Sequence, residues 1–264
     1  MAKMQLLVKK IVKDPKVILK EGASDAYIFL KVDIPMMEYT GEEPYQDLYI
    51  KTTGPVSDKY KPMFWVGTKS DDINNSEYSD DLGSINNGPR GTCGNIINSK
   101  NNMGWELIKE QPYPDDPEYE KTADLFGTNK KYHSYIIALV DYEQTNTGST
   151  SNIASNKQSL MKGPIQRVSI QTYTCNLAKM EAGETTFNLF NFVELNPIVG
   201  EKNWKVPEEN PEIKITAYGV QANGLDSENV YTEIDEGKNN NKISTLMTEN
   251  VLKTYKLAAP DLSN

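Results

Sequence analysis

The amino-acid sequence predicts an all-β protein, a jelly-roll-like β-sandwich with two long insertions and little helix. Apolar residues alternate along several short segments, which are rich in Tyr, Phe, Val, Ile and Thr. Clusters of Gly, Pro, Asn and Asp separate these segments, a spacing typical of sandwiches and jelly rolls. We expect residues 1–264 to form one domain, with the insertions at about 39–103 and 144–163.

The clearest predicted strand is Ala26–Ile34. Every second residue is apolar, while the opposite face is aromatic at one end and charged at the other. A repeat of two residues is that of a strand covering a core. Pro35 is expected to end the strand, because proline cannot donate a hydrogen bond to a ladder.

The same reasoning predicts further elements and a core. The other predicted strands are Tyr132–Tyr142, Arg167–Leu177, Phe187–Leu195 and Glu212–Ala222. Two segments have helical features, Ser227–Ile234 and Lys242–Tyr255, although a strand is also compatible with the last residues of the second. In-phase placement on these patterns predicts a core of Ile28, Leu30, Val32, Trp105, Ile136, Phe190, Ile215 and Tyr218.

Charge and hydropathy exclude some classes of partner. The net charge is -9 and the pI about 4.9, so the surface repels phosphate backbones and nucleic-acid binding is not expected. The chain contains no run of about 18 apolar residues that could span a membrane. Lysines interrupt residues 1–20, so no signal peptide is recognised there. Whether Met1 is native or follows a removed leader stays open.

The residues offer no recognisable catalytic site, and we expect a protein that is not an enzyme. His133 is the one histidine of the chain, which excludes a zinc site of the H-E-x-x-H type. It lies in a strand-like segment and is read as an ordinary β-residue. Cys93 lies between glycines and is read as a loop cysteine, either free or paired with Cys175.

No cofactor is predicted, but one loop offers ligands for a metal ion. Residues 71–81 contain spaced carboxylates that Ca²⁺ could use, without the order of ligands of an EF-hand. The simpler reading is a solvated acidic loop. Because copies with a net charge of -9 repel one another, divalent ions are expected to assist any self-assembly.

Several segments, in order, resemble one known family. Lys13–Val17 leads to Asp25–Val32, Gly104–Leu107 is followed by Leu177–Thr186, and Ile213–Gly224 comes near the end. Together they resemble the camelysin and TasA-type proteins, which are secreted fibre and biofilm-matrix subunits. The resemblance implies a jelly-roll sandwich at the cell surface or outside the cell. It also implies a homopolymer joined by donor-strand exchange.

Two other functions remain open at this stage. Camelysin-like proteins have also been classed as metallopeptidases, although this chain has no zinc-binding motif. The absence of a recognised leader and the many Asn and Lys residues also fit a virion or phage structural protein.

The segment Met4–Val12 is the candidate assembly strand. Leu6 and Val8 share one face of an extended chain, and Leu7 and Ile11 share the other. The segment forms either the first strand of its own domain or a donor strand for a neighbour. The alternative donor is the C-terminal tail, Lys256–Asn264.

Overall fold

The computed structural model describes residues 11–12, 15–42, 57–67, 103–145, 170–186, 188–190, 192–196, 198–207, 211–225, 229–236 and 249–259. Strands dominate these residues, which confirms the β-rich class with little helix. The helices are α1 (Ala123–Phe126), preceded by a 3₁₀ turn (Glu120–Thr122), and α2 (Glu249–Ala258). The strands are β1 (Ile11–Val12), β2 (Ala26–Tyr39), β3 (Tyr60–Pro62), β4 (Phe64–Gly67), β5 (Met103–Glu110), β6 (Tyr132–Thr145), β7 (Ile170–Leu177), β8 (Lys179–Met180), β9 (Phe192–Leu195), β10 (Trp204–Lys205), β11 (Lys214–Gln221) and β12 (Asn229–Glu236).

A nine-stranded sheet is organised around β2 and β6. These two strands pair antiparallel from Phe29 opposite Ala138 to Pro35 opposite Tyr132. On its other edge β2 pairs with β11, and β5 pairs with the outer side of β6. Beyond the start of β2, the continuation of β6 pairs with β7, which in turn pairs with β12. The short strands β3, β8 and β10 pair with the ends of β2.

The large sheet is covered on both faces. A three-stranded sheet of β1, β9 and β4 lies against one face, where its residues Phe64, Val66 and Val193 pack on the large sheet. This first core also contains all five alternating apolar residues of β2: Ala26, Ile28, Leu30, Val32 and Ile34. The burial of these alternate residues on one face is what the repeat of two residues predicts.

The opposite face of the sheet forms a second core with the helices. Tyr27 and Phe29 of β2 pack there with Leu125 and Phe126 of α1. Val251 of α2 also lies in this core, together with Tyr255 one turn later. The helix predicted over 242–255 is therefore confirmed for its described residues, which begin at 249.

The core prediction is correct for most of its residues. Ile28, Leu30, Val32, Trp105, Ile136 and Phe190 are buried. The prediction is wrong for Ile215, whose exposed fraction is 37%. Tyr218 is half-buried. The reason is position: both belong to β11, for which β2 is the one paired strand among the described residues.

Pro35 does not end its strand, contrary to the prediction. Its carbonyl accepts a hydrogen bond from the Met63 amide, while the next residue, Met36, donates to Lys131 on the opposite edge. The missing N–H of Pro35 therefore points to the edge shared by β11 and β3. Met63 lies opposite the proline on this edge, and its carbonyl accepts a hydrogen bond from the Asn196 amide at 2.9 Å instead. The missing donor of Pro35 therefore leaves no ladder acceptor unpaired.

The short helix predicted over Ser227–Ile234 is also wrong. Residues 229–236 form β12, paired with β7 from Asn229 opposite Asn176 to Glu236 opposite Ile170. The sequence of β12 alternates Val, Thr and Ile with other residues, a pattern that favours a strand over a helix.

The strand predicted over Phe187–Leu195 is shorter in the structure, where β9 begins at Phe192. Leu189 and Phe190 lie outside the strand but are buried. Within the first predicted insertion, residues 60–67 provide β3 and β4, and Val66 is buried.

Candidate functional site

The outer edge of β11 is exposed along most of its length. Residues 214–217 are all exposed, as are Gly219 and Gln221. Within the described residues, no strand pairs with the side of β11 that faces away from β2. An edge of this kind presents a row of N–H and C=O groups to any chain that approaches it in an extended form.

The register identifies which residues present these groups. The Ala222 amide donates to the Asp25 carbonyl across the β2 ladder, at 2.8 Å. In an antiparallel pair the backbone groups of alternate residues point to the same side. Even-numbered residues of β11 therefore bond to β2, and Ile215, Ala217 and Gly219 point their N–H and C=O groups outward.

The side chains of this edge alternate between two surroundings. Tyr218 and Val220 pack against the second core beside α2. Ile215 and Ala217 lie on the other face, opposite Val32 and Leu30 of β2, and remain exposed there. The edge thus combines outward backbone groups with uncovered apolar surface, which is the chemistry that an added apolar strand requires.

The predicted assembly strand, Met4–Val12, meets the structure at its last two residues, which form β1. Ile11 lies opposite Val193 in β1, so it pairs with β9 of its own chain. Leu6, Leu7 and Val8 lie outside the described residues. The alternative donor segment, Lys256–Asn264, begins inside α2, where Lys256 forms an ion pair with Asp124.

His133 lies inside the first core on β6 and is fully buried. Its Nε2 is 2.8 Å from Oε1 of Glu110, whose side chain is 10% exposed. The ring stacks on Tyr113 with 4.2 Å between centroids, and it meets the ring of Tyr135 edge-on. Burial raises the pKa of the Glu110 carboxyl to about 8.

A bulge in β5 brings Glu110 to this position, which strict alternation does not predict. Leu107 lies opposite Ile137, but Lys109 lies opposite the adjacent residue Ile136, so one residue of β5 is extra. Beyond the bulge, each residue of β5 lies on the face of the sheet opposite to the one that strict alternation predicts. Glu110 therefore lies on the same face of the sheet as Trp105. From the sequence alone, Glu110 reads as a surface carboxylate.

A polar pocket of about 70 Å³ lies at the charged end of β2. Lys31 Nζ is 3.3 Å from Asp33 Oδ1 and donates to the Phe126 carbonyl at 3.1 Å. The Ser134 hydroxyl also donates to Asp33, at 2.5 Å. These charged groups therefore bind one another, which stabilises them within the sheet.

The other sites predicted from the sequence lie wholly or partly outside the described residues. Cys93 and the acidic loop 71–81 lie outside the described residues, and Cys175 is placed only as a backbone position of β7. Among the described residues, no three His, Cys, Asp or Glu side chains are grouped as a metal site would need. No helix in the described part of the chain is long and apolar enough to cross a membrane.

Comparison with known proteins gives no relative. No family model, no curated protein and no solved structure matches this chain.

Proposed function

We propose that this chain is a non-catalytic structural subunit of an extracellular filament or biofilm-matrix fibre. It is built on a jelly-roll-type sandwich, and copies polymerise by donor-strand exchange. The observation that carries the proposal is the outer edge of β11, with exposed backbone groups and exposed Ile215. The sequence resemblance to fibre subunits supports the role of this edge as the acceptor of a donor strand.

In this assembly, an extended segment of one copy pairs with β11 of the next. Backbone hydrogen bonds to Ile215, Ala217 and Gly219 supply affinity, and side chains packing beside Ile215 set the register. The donor segment lies before Ile11, since that residue pairs with Val193 of its own chain. Its apolar residues are Leu6, Leu7 and Val8.

The acidic surface controls when copies meet. With a net charge of -9, each copy repels the next at low ionic strength. Salt screens this repulsion, and Ca²⁺ bridging carboxylates relieves it at lower concentration. Filament growth followed by light scattering is therefore expected to accelerate with added salt or Ca²⁺.

A proline at the outward edge tests the acceptor role. Ala217→Pro removes an outward N–H and is sterically compatible with an edge strand whose N–H faces solvent. The matched control, Ala217→Ser, keeps the N–H. Negative-stain microscopy and sedimentation are expected to show filaments for the wild type and the serine variant, and folded monomers for the proline variant. Equal polymerisation of both variants would rule out β11 as the acceptor.

Truncation tests the donor separately. A chain without residues 1–10 is expected to fold, because β1 begins at Ile11, and to stay monomeric. If the truncated chain still forms filaments that Ala217→Pro abolishes, the donor is another segment while the acceptor assignment stands.

A protease assay tests the non-catalytic part of the proposal. Casein should remain intact on incubation with the protein and Zn²⁺. If casein were cleaved, and if a folded His133→Ala variant lost that activity, the chain would instead be a peptidase.

A further inference from the structure

The pair formed by Glu110 and His133 belongs to no part of the proposed assembly edge. It lies in the first core, where the Nε2 to Oε1 distance is 2.8 Å and the two side chains are 1% and 10% exposed. Carboxyl and imidazole groups titrate near neutral pH when their surroundings change. A buried contact between them therefore couples the fold to protons.

Two aromatic rings contact the imidazole of the pair. Tyr113, from the segment after β5, stacks on the imidazole, and Tyr135 of β6 meets its edge. On β2, Ile34 lies opposite His133 and carries no charge. Among the described residues, Glu110 forms no ion pair with a lysine or an arginine.

Charge balance in this setting favours one added proton. With Glu110 ionised and His133 neutral, the core would hold a net negative charge, and with both groups protonated it would hold a net positive charge. The first state leaves a buried carboxylate for which Glu110 has no cationic partner among the described residues, and the second state buries an imidazolium beside a neutral carboxyl. Both states cost desolvation energy. One shared proton leaves the pair neutral and keeps the hydrogen bond.

We propose that Glu110 and His133 hold one shared proton in the folded chain, so that folding takes up a proton near neutral pH. The pair then links β5 and β6 through a hydrogen bond whose strength depends on pH. The hydrogen bond is retained in mildly acidic medium and weakens as the medium becomes alkaline.

The direction of the effect follows from proton counts. In the unfolded chain a glutamate ionises above about pH 4.3 and a histidine loses its charge above about pH 6.5. In the folded chain burial holds the proton on Glu110 up to a pKa of about 8. Between about pH 6.5 and 8, unfolding therefore releases one proton. The folding equilibrium constant falls as pH rises, by up to about tenfold per pH unit.

Urea unfolding at pH 6.5 and 8 measures this release. Glu110→Gln keeps the shape and an N–H that can donate to Nε2, but it cannot titrate. Glu118→Gln, at an exposed carboxylate paired with Lys121, is the matched control. Between these two pH values, the folding equilibrium constants of the wild type and the Glu118 variant are expected to fall by roughly tenfold more than that of the Glu110 variant. Equal pH dependence of all three proteins would overturn the proposal.

A second measurement does not depend on a variant that folds. The Glu110 carboxyl carbon of the wild type, followed by NMR, is expected to titrate near pH 8. Because the chain contains 1 histidine, its ring nitrogen signals are assigned without ambiguity and report the same transition. Titration of the Glu110 carboxyl below about pH 6 would show that the pair does not retain the proton.

Discussion

The adjacent strands β2 and β11 have related sequence patterns and opposite surroundings. They pair in unbroken register from Asp33 opposite Lys214 to Ala26 opposite Gln221. Along the paired stretch, β2 is buried at nearly every position, whereas β11 is exposed at most of its positions. Alternation therefore identifies both segments as strands, but it does not distinguish the centre of a sheet from its edge.

The difference arises from the elements that cover each strand. β2 lies between β6 and β11, with the three-stranded sheet over one face and α2 over the other. β11 receives cover from α2 at Tyr218 and Val220. Ile215 and Ala217 face the other side and are exposed there. Buried surface is thus concentrated in β2, whereas β11 keeps exposed apolar surface on this face.

Truncating one side chain in each strand measures this contrast. Leu30 is 2% exposed in the first core, so Leu30→Ala is expected to lower the free energy of unfolding by about 2–5 kcal/mol. Ile215→Ala, in the neighbouring strand, is expected to cost about 1 kcal/mol or less. Urea unfolding curves give both values. A loss below about 0.5 kcal/mol for Leu30→Ala would contradict its assignment to the core.

Two prolines compare the inner and outer edges of β11. By the register, the Thr216 N–H bonds to β2 opposite Lys31, whereas the Ala217 N–H points outward. Thr216→Pro leaves a β2 carbonyl without its donor and is expected to cost about 1–3 kcal/mol. Ala217→Pro is expected to cost clearly less in the same urea unfolding measurement. If the order were reversed, the outward direction assigned to Ala217 would be wrong.

The sequence predicted a structural feature correctly where that feature depends on residues close together in the chain. The alternation of β2 and the helical features of Lys242–Tyr255 are local, and both predictions were correct for the described residues. Pro35 was misjudged because its effect depends on the Met63 carbonyl opposite it, which bonds to Asn196, far away in sequence. Ile215 was misjudged because the cover over its face of β11 is likewise a tertiary property.

The candidate sites show the same limit. His133 was correctly placed on a strand, but its partner Glu110 was not foreseen, because the bulge in β5 reverses the faces after Leu107. The exposed edge of β11 has no signature of its own in the sequence, since the same alternation describes a buried strand. The donor segment containing Leu6, Leu7 and Val8 stays a prediction.

The smallest expected effect concerns Tyr255, the side chain of α2 that covers both strands. Its ring meets Phe29 of β2 at 5.6 Å and Tyr218 of β11 at 5.8 Å, both edge-on. Its hydroxyl is buried and makes no hydrogen bond within the described residues, and burial raises the pKa of the phenol. Tyr255→Phe keeps the ring contacts and removes the buried hydroxyl, so we expect stabilisation by about 0.5–1 kcal/mol.

The half-buried Tyr218 supplies the control for this substitution. Tyr218→Phe changes the same kind of group at the covered face of β11 and is expected to give no gain, since its hydroxyl is not sealed in the core. Thermal and urea unfolding of both variants separate the two cases. Destabilisation of Tyr255→Phe by more than about 0.5 kcal/mol would mean that the hydroxyl has a partner beyond the described residues. The cover over β2 and β11 would then depend on a polar contact as well as on apolar packing.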